Sequence, residues 1–353
     1  MQKKTVLFIA PLPDKKLNYD GERNKSRDVL LALKKTGKYK LSIIDLSKNK
    51  LFAVIKMLSI YLFRKFDYVF ISKCIVGGSL ALHLINKIRL NLNVYFYIIG
   101  NGYFGFDEKK IYFSEIQKCK HLIVESEEVK ESMIEKGCLS DRISIFPCLK
   151  PLYSINVLER KYKDHQPLKL LYFSRINPDK GLGDLIDVLI KINSSYKSPI
   201  FYLDIAGGVS DEPGIAEFNK EVISKCNEHS FLNYLGMSLR IEGVDSYKRI
   251  QEYDLHMFPS RFKQECAPGA ILDMFVAGIP TLSSKYPSYK TLLNESNSIL
   301  FEQNNLKDLK DKLIYCYENA DKILNKKRLL SHEEYFKYTD DAFIRFLETI
   351  NFN

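Results

Sequence analysis

Apolar and polar positions along the chain alternate between short apolar runs and longer amphipathic stretches. An apolar run of four to eight residues bounded by turn residues predicts a buried strand, and a 3.6-residue apolar period predicts a helix. Residues 4–10 (KTVLFIA), 40–46 (KLSIIDL), 67–72 (DYVFIS), 94–100 (VYFYIIG), 121–126 (HLIVES) and 142–147 (RISIFP) predict strands. The first loop, 11–21, leads into an amphipathic helix expected over 26–35 and stopped by Gly37. The rhythm pauses at 150–169, a polar stretch with Pro151, Pro167 and the charged run ERKYKDH, which reads as a linker. It then restarts with predicted strands at 169–174 (KLLYFS), 201–207 (FYLDIAG), 233–236 (NYLG), 255–260 (LHMFPS) and 279–284 (IPTLSS). The tail predicts two helices, 306–323 and 331–350.

Strands that alternate with helices build parallel sheets covered on both faces. The expected fold is α/β, with two doubly wound halves facing each other across a cleft: residues 1–165, residues 166–330, and a helical segment, 331–353, packing back on the first half. In such sheets ligands sit at the carboxyl ends of the strands, and a cleft between two domains suits two substrates.

With 353 residues, 46% of them hydrophobic and 27% charged, the chain can fill two globular cores. No apolar run approaches the roughly 20 residues that span a bilayer; the longest, 51–63, carries Lys56. The basic start MQKKTVLFIAPLP has an apolar stretch too short for a signal peptide and reads as a buried first strand. The seven cysteines, Cys74, Cys119, Cys138, Cys148, Cys226, Cys266 and Cys316, are widely spaced without a CxxC. That argues against a disulfide framework or zinc site and for a reducing, cytoplasmic setting.

The net charge of +10 is uneven: residues 1–165 hold 30 Lys and Arg against 17 Asp and Glu. Such a half suits an anionic partner, whether nucleic acid, phospholipid surface or phosphorylated acceptor; it equally fits a solvated lysine-rich surface. Residues 48–65 (KNKLFAVIKMLSIYLFRK) are apolar with basic flanks. They fit either a helix packed on the sheet or a segment on an anionic membrane, where each Lys or Arg contributes about 1 kcal/mol. Nucleic-acid binding calls for stacking aromatics interleaved with the basic residues. The tyrosines fall in strands instead, so no nucleic-acid partner is expected. A dehydrogenase needs GxGxxG after a strand, and none is present.

Two stretches carry chemistry. In SRINPDKG (174–181) a predicted strand ends, a short loop follows, and a helix begins near Gly181. Arg175 and Lys180 then sit at the mouth of the sheet. Arg grips two phosphate oxygens with its fork and Lys adds a point charge, so the pair can hold a diphosphate. Residues 259–280 (PSRFKQECAPGAILDMFVAGIP) run from a strand end through Glu265 to a helix opening at Pro268 and Gly269. A helix N-terminus favours an anion through its dipole and its unpaired N–H groups. Glu265 would face a transferred sugar, and Asp273, inside the helix, a ribose.

In order and spacing these motifs resemble the retaining family-4 glycosyltransferases of the GT-B fold, in which both halves are Rossmann-like. Residues 234–236 (YLG) resemble the family's nucleobase-pocket segment, and 206–208 (AGG) its glycine turn. The resemblance is strong over 169–284 and rests on rhythm alone in the N-terminal half. It implies that Arg175 and Lys180 bind the diphosphate, Glu265 the donor sugar and Asp273 the ribose. It further implies that backbone at Pro268, Gly269 and Ala270 touches sugar and phosphate, with Gly236 and Met237 on the donor side. Two features depart from the family pattern. Asp273 stands where Glu is usual, and CAP (266–268) replaces a glycine-rich turn.

The loop and helix start over 11–27 resemble the family's acceptor loop, with Gly21 and Arg23 as acceptor ligands beside Lys15, Lys16, Lys25 and Arg27. Asn101, in Gly100-Asn101-Gly102, is a further expected acceptor ligand, and it or Gly100 stands where family members often carry a His. No catalytic His is therefore assigned, and His83 and His121 read as structural. There is no Asp-x-Asp and no His–carboxylate cluster, so no metal or other cofactor is expected. Fixed cations and the helix N-terminus would do a metal's work on the leaving diphosphate. The expected partners are a nucleotide-sugar donor, a glycan or lipid-linked acceptor and an anionic membrane surface. The expected setting is cell-surface polysaccharide or lipopolysaccharide synthesis on the inner face of the cell membrane. A nucleotide-sugar-binding protein without turnover is the alternative.

Overall fold

The computed structural model describes residues 3–13, 21–47, 65–87, 93–102, 106–157, 159–163, 165–209, 214–239, 241 and 243–352. Lys15, Lys16 and all but the last residue of the 48–65 segment lie outside these. The chain divides into two compact units, Met1–Leu152 with Tyr338–Asn353, and Tyr153–Lys337.

The first unit contains β1 (Lys4–Ala10), α1 (Gly21–Lys35), β2 (Tyr39–Asp45), β3 (Tyr68–Lys73), α2 (Ile75–Asn86), β4 (Val94–Ile98), α3 (Phe113–Ile116), β5 (His121–Val124), α4 (Glu127–Glu135) and β6 (Ile143–Ile145). Its strands are all parallel, in the order β2-β1-β3-β4-β5-β6. Val6, Leu7, Phe8, Ile9 and Ala10 are all buried, as a strand covered on both faces requires. Helix α1 starts at Gly21, a turn earlier than the periodicity predicts. Ser26, the expected start, is buried in the second turn; its Oγ donates to Ser72 O at 3.1 Å and lies 3.0 Å from Ser72 Oγ.

The second unit contains β7 (Leu168–Phe173), α5 (Leu182–Asn193), β8 (Phe201–Ala206), α6 (Ile215–Glu228), β9 (Leu232–Gly236), α7 (Val244–Ile250), β10 (Leu255–Phe258), α8 (Gly269–Ala277), β11 (Thr281–Ser284), β12 (Ser298–Phe301), α9 (Leu306–Glu318) and α10 (Ala320–Tyr335). Its parallel sheet runs β12-β11-β10-β7-β8-β9. The sequence pattern misses β12, whose apolar run is only Ile299, Leu300 and Phe301. Pairing with β11, from Thr281↔Ser298 to Ser284↔Phe301, makes it a strand.

The tail differs from the two predicted helices. The 306–323 stretch is interrupted at Asn319, between α9 and α10. The 331–350 stretch is broken by a 3-10 turn, Phe336–Tyr338, after which Thr339 starts α11 (Asp340–Thr349). The Thr339 side chain accepts from Ala342 N at 3.2 Å, and Asp340 and Asp341 occupy the first turn. This is the chemistry of a helix start, and it outweighs the apolar period running through it. Helix α11 is held to the first unit by Lys35, 3.1 Å from Asp340 and 2.7 Å from Asp341. The ring of Phe352 packs among Tyr39, Tyr68, Phe70 and Tyr95 at centroid distances of 5.2, 4.9, 5.4 and 4.7 Å.

Chain order reverses between β1 and β3 in one sheet and between β7 and β10 in the other. Loops leaving the two sides of such a switch point diverge and open a crevice at the carboxyl ends of the strands. Among the described residues no helix is long and apolar enough to cross a membrane.

Candidate functional site

The loops after β7 and β10 flank the switch point of the second sheet, and they carry the predicted diphosphate and sugar residues. Beyond β7 the chain stays paired for a few residues, with Ile176 N donating to Gly208 O at 2.9 Å. Arg175, just before it, is exposed. Asn177 then caps a 3-10 turn, Pro178–Lys180, by accepting from Asp179 N at 2.9 Å. The turn swings Lys180 inward until only 7% of it is exposed. Gly181 follows at φ +71°, and a Cβ there would lie 2.0 Å from Pro259 O. The residue must be glycine for conformation and for space, because the β7 loop presses directly on the end of β10.

The β10 loop is locked from several sides. Ser260 is buried, and its carbonyl accepts from Ser284 Oγ at 2.6 Å and Gln303 Nε2 at 3.1 Å. Arg261 binds back to the β7 loop: its N–H donates to Asp179 O at 2.7 Å and Nη2 to Pro178 O at 3.0 Å. Its Nη1 lies 2.9 Å from Asp184 Oδ2 in the first turn of α5. The two loops therefore form one rigid frame.

Within that frame Lys180 and Glu265 form a buried ion pair, and Lys180 Nζ also lies 4.7 Å from the centre of the Phe262 ring. Ser260 Oγ donates to the same Glu265 oxygen, Oε2, at 2.9 Å. Oε1 has no hydrogen-bond partner among the described residues. Burying two charges is costly unless geometry and extra hydrogen bonds compensate. Here a hydroxyl and an aromatic face add to the pair, while one carboxylate oxygen is left to accept from a hydroxyl group. An ammonium has three donors, so Lys180 retains capacity for an anion.

Helix α8 opens beside this pair. Pro268 is its N-cap, with no side-chain cap and no acidic residue in the first turn. The N–H groups of Gly269 and Ala270 thus stand at a positive helix end that no side chain among the described residues caps. Asp273 lies a turn further in, is 5% exposed and accepts from Tyr247 Oη at 2.8 Å. Gly236 ends β9 at the same edge of the sheet, its carbonyl accepting from Gly207 N at 2.8 Å, and Met237 is half-buried. Sequence reasoning missed Ser260, Arg261, Phe262 and Tyr247. Ser260 and Phe262 lie inside the quoted motif, but only folding shows that they touch the Lys–Glu pair. Tyr247 lies on α7, with no local signal linking it to Asp273.

The predicted acceptor residues Gly21, Arg23 and Asn101 belong to the first unit. Gly21 and Arg23 form the first turn of α1, and Asn101 follows β4. All seven cysteines are free, and no group of three His, Cys, Asp or Glu among the described residues is placed to hold a metal ion.

Residues 156–329 match the glycosyl transferases group 1 family. No curated protein matches the chain. Several solved structures share the fold over its full length. HepE of Anabaena in complex with UDP and glucose is 14% identical, with TM-score 0.73, 99% of this chain covered and 100% of that one. Sucrose-phosphate synthase from Thermosynechococcus elongatus is 12% identical, with TM-score 0.74 and 99% and 98% covered. The lipopolysaccharide outer core galactosyltransferase WaaB is 13% identical, with TM-score 0.71 and 99% of each chain covered. The two parallel six-stranded sheets are those of the GT-B fold, and the loops that hold Lys180 and Glu265 lie within the residues that match the glycosyl transferases group 1 family.

Proposed function

We propose that this protein is a glycosyltransferase, a retaining enzyme of family 4 that moves a sugar from a nucleotide-diphosphate donor to a glycan or lipid-linked acceptor without a metal. The observation that carries the reading is the buried Lys180–Glu265–Ser260 cluster at the switch point, next to the uncapped start of α8. Departure of the nucleotide builds negative charge on its phosphate, and preorganised donors stabilise that charge. Lys180, Arg175 and the N–H groups of Gly269 and Ala270 are the donors in this scheme. Glu265 holds a hydroxyl of the sugar through its spare oxygen. Asp273, oriented by Tyr247, faces the ribose, and Gly236 and Met237 line the base. The leaving phosphate assists deprotonation of the acceptor, which Gly21, Arg23 and Asn101 bind in the first unit. The fold shared with a protein crystallised with UDP and glucose supports a nucleotide-sugar donor. The fold shared with a lipopolysaccharide galactosyltransferase, and the basic N-terminal half, support a role in surface polysaccharide or lipopolysaccharide synthesis at the inner face of the cell membrane.

The test is thermal stabilisation by a panel of nucleotide sugars, followed by transfer assays in excess EDTA with the stabilising donor. One donor class should raise the melting temperature, and transfer should persist in EDTA. A strict metal requirement overturns the metal-free scheme. Stabilisation without transfer or hydrolysis identifies a binding protein instead.

A further inference from the structure

Four elements of the first unit meet through two Lys–Glu pairs at the carboxyl edge of its sheet. Glu22, in the first turn of α1, accepts from Lys73 Nζ at 3.2 Å on each oxygen and from Cys74 N, at the end of β3. One turn along α1, Lys25 Nζ lies 2.5 Å from Glu125 Oε1. Glu125 directly follows β5 and is wholly buried, and its Oε2 accepts from Gly100 N at 3.0 Å. Gly100 follows β4 and opens the Gly100-Asn101-Gly102 loop.

That loop has little freedom. Gly100 and Gly102 take φ of +88° and +62°, and a Cβ on Gly102 would lie 3.1 Å from Val129 Cγ1 of α4. Asn101 is therefore carried between two left-handed residues, one tied to Glu125 and the other pressed on a helix. On the other side of the pair, Arg23 sits two residues before Lys25 on the same helix. Apolar side chains of similar volume can often replace a buried ion pair without loss of stability. They cannot accept the Gly100 N–H or hold the rotation of α1 against the loop.

We propose that Lys25 and Glu125 are positioning residues that register the Arg23 turn of α1 against the Asn101 loop, and so set the geometry of acceptor binding. The proposal rests on the acceptor reading of this edge given above. Neither residue touches the donor; both act through Arg23 and Asn101. Misplacement of a binding group by about 1 Å can cost up to roughly a hundredfold in rate.

The experiment compares full-length wild type, Glu125→Gln and the double variant Lys25→Met/Glu125→Met. The readouts are melting temperature, donor KM, donor hydrolysis without acceptor, and kcat/KM for the acceptor. The expected result is a fall of about tenfold or more in acceptor kcat/KM, with donor KM and donor hydrolysis unchanged within about twofold. The double variant should fold, with a melting temperature lowered by no more than the lost Gly100 hydrogen bond accounts for, while acceptor kcat/KM stays low. Should Glu125→Gln fail to fold, the double variant decides. Wild-type acceptor kcat/KM in a folded double variant overturns the proposal, and so does a donor KM that shifts as far as the acceptor term. Absence of any transfer by the wild type overturns the acceptor reading itself, a different outcome from transfer that the variants leave untouched.

Discussion

At the carboxyl edge of the second sheet, Lys180 and Glu265 come from the loops on either side of a switch point. At the edge of the first, Lys25 comes from a helix and Glu125 from the end of β5. Both are Lys–Glu pairs with a buried carboxylate on the same kind of scaffold, Lys180 being buried and Lys25 partly so. They differ in how the carboxylate is used. Glu265 receives Lys180 and Ser260 on one oxygen and keeps the other open. Glu125 spends both oxygens, one on Lys25 and one on Gly100 N. A carboxylate with a spare acceptor can serve a ligand, whereas one whose oxygens go to helix and loop serves the frame. In the proposed scheme the hydrogen-bond inventory, more than burial, separates the binding carboxylate from the positioning one.

The sharpest way to break this comparison is to remove the cations of the second edge. Lys180→Ala and Arg175→Ala should each raise the transfer barrier by about 2–4 kcal/mol, read as kcat/KM for the donor. Their stabilities should diverge. Arg175 is exposed, so its loss should leave the melting temperature unchanged. Lys180→Ala strands the Glu265 charge and should lower it, since breaking a buried pair typically costs about 3–5 kcal/mol. Unchanged turnover in both variants would falsify the phosphate role. Gly181→Ala comes next, because it tests the frame and not the charges. A non-glycine residue in this conformation costs about 1–2 kcal/mol. A Cβ 2.0 Å from Pro259 O must push the two loops apart as well. Thermal unfolding should shift down by several degrees, at about 2–4 °C per kcal/mol for a domain of this size, with a weaker donor KM. An unshifted melting curve would mean that the loops are not clamped.

The smallest effect concerns protons in the sheet below the site. His256 on β10 is wholly buried, and burial pushes its pKa from 6.5 down to about 3. Below pH 6.5 the unfolded chain takes up a proton that the native state refuses until about pH 3. Stability is therefore full above that window and falls as the pH drops through it, by up to about 1.4 kcal/mol per pH unit. Between pH 7 and 5 the melting temperature of wild type should fall relative to that of His256→Leu as the pH drops. Parallel curves would show that His256 does not titrate in this way. In the first sheet His121 is also held below its ordinary pKa by burial, but its Nε2 lies 2.9 Å from Ser144 Oγ and it sits in the other unit. The His256 substitution should leave that contribution in place.

The second edge was far more legible in the sequence than the first. Arg175 and Lys180 share one loop, and Glu265, Gly269 and Asp273 lie within nine residues. Short loops between a strand and a helix carry their chemistry contiguously, so spacing reveals it. Nothing local joins Lys25 to Glu125, which are 100 positions apart. The amphipathic period places the start of α1 at Ser26; the fold instead puts that residue in the second turn, with its hydroxyl on Ser72.

By itself the sequence determined the alternation of strands and helices and the composition of the loops after β7 and β10. Strands buried on both faces must be continuous apolar runs, and helices between them must be amphipathic, so both periods are written locally. Tertiary structure alone decided the rest: the strand order that puts β7 beside β10, the twelfth strand, the Tyr247 hydroxyl on Asp273, and the two Lys–Glu pairs. Each depends on groups distant in the chain meeting in a water-poor place, where a charge is stable only if a particular partner arrives with it.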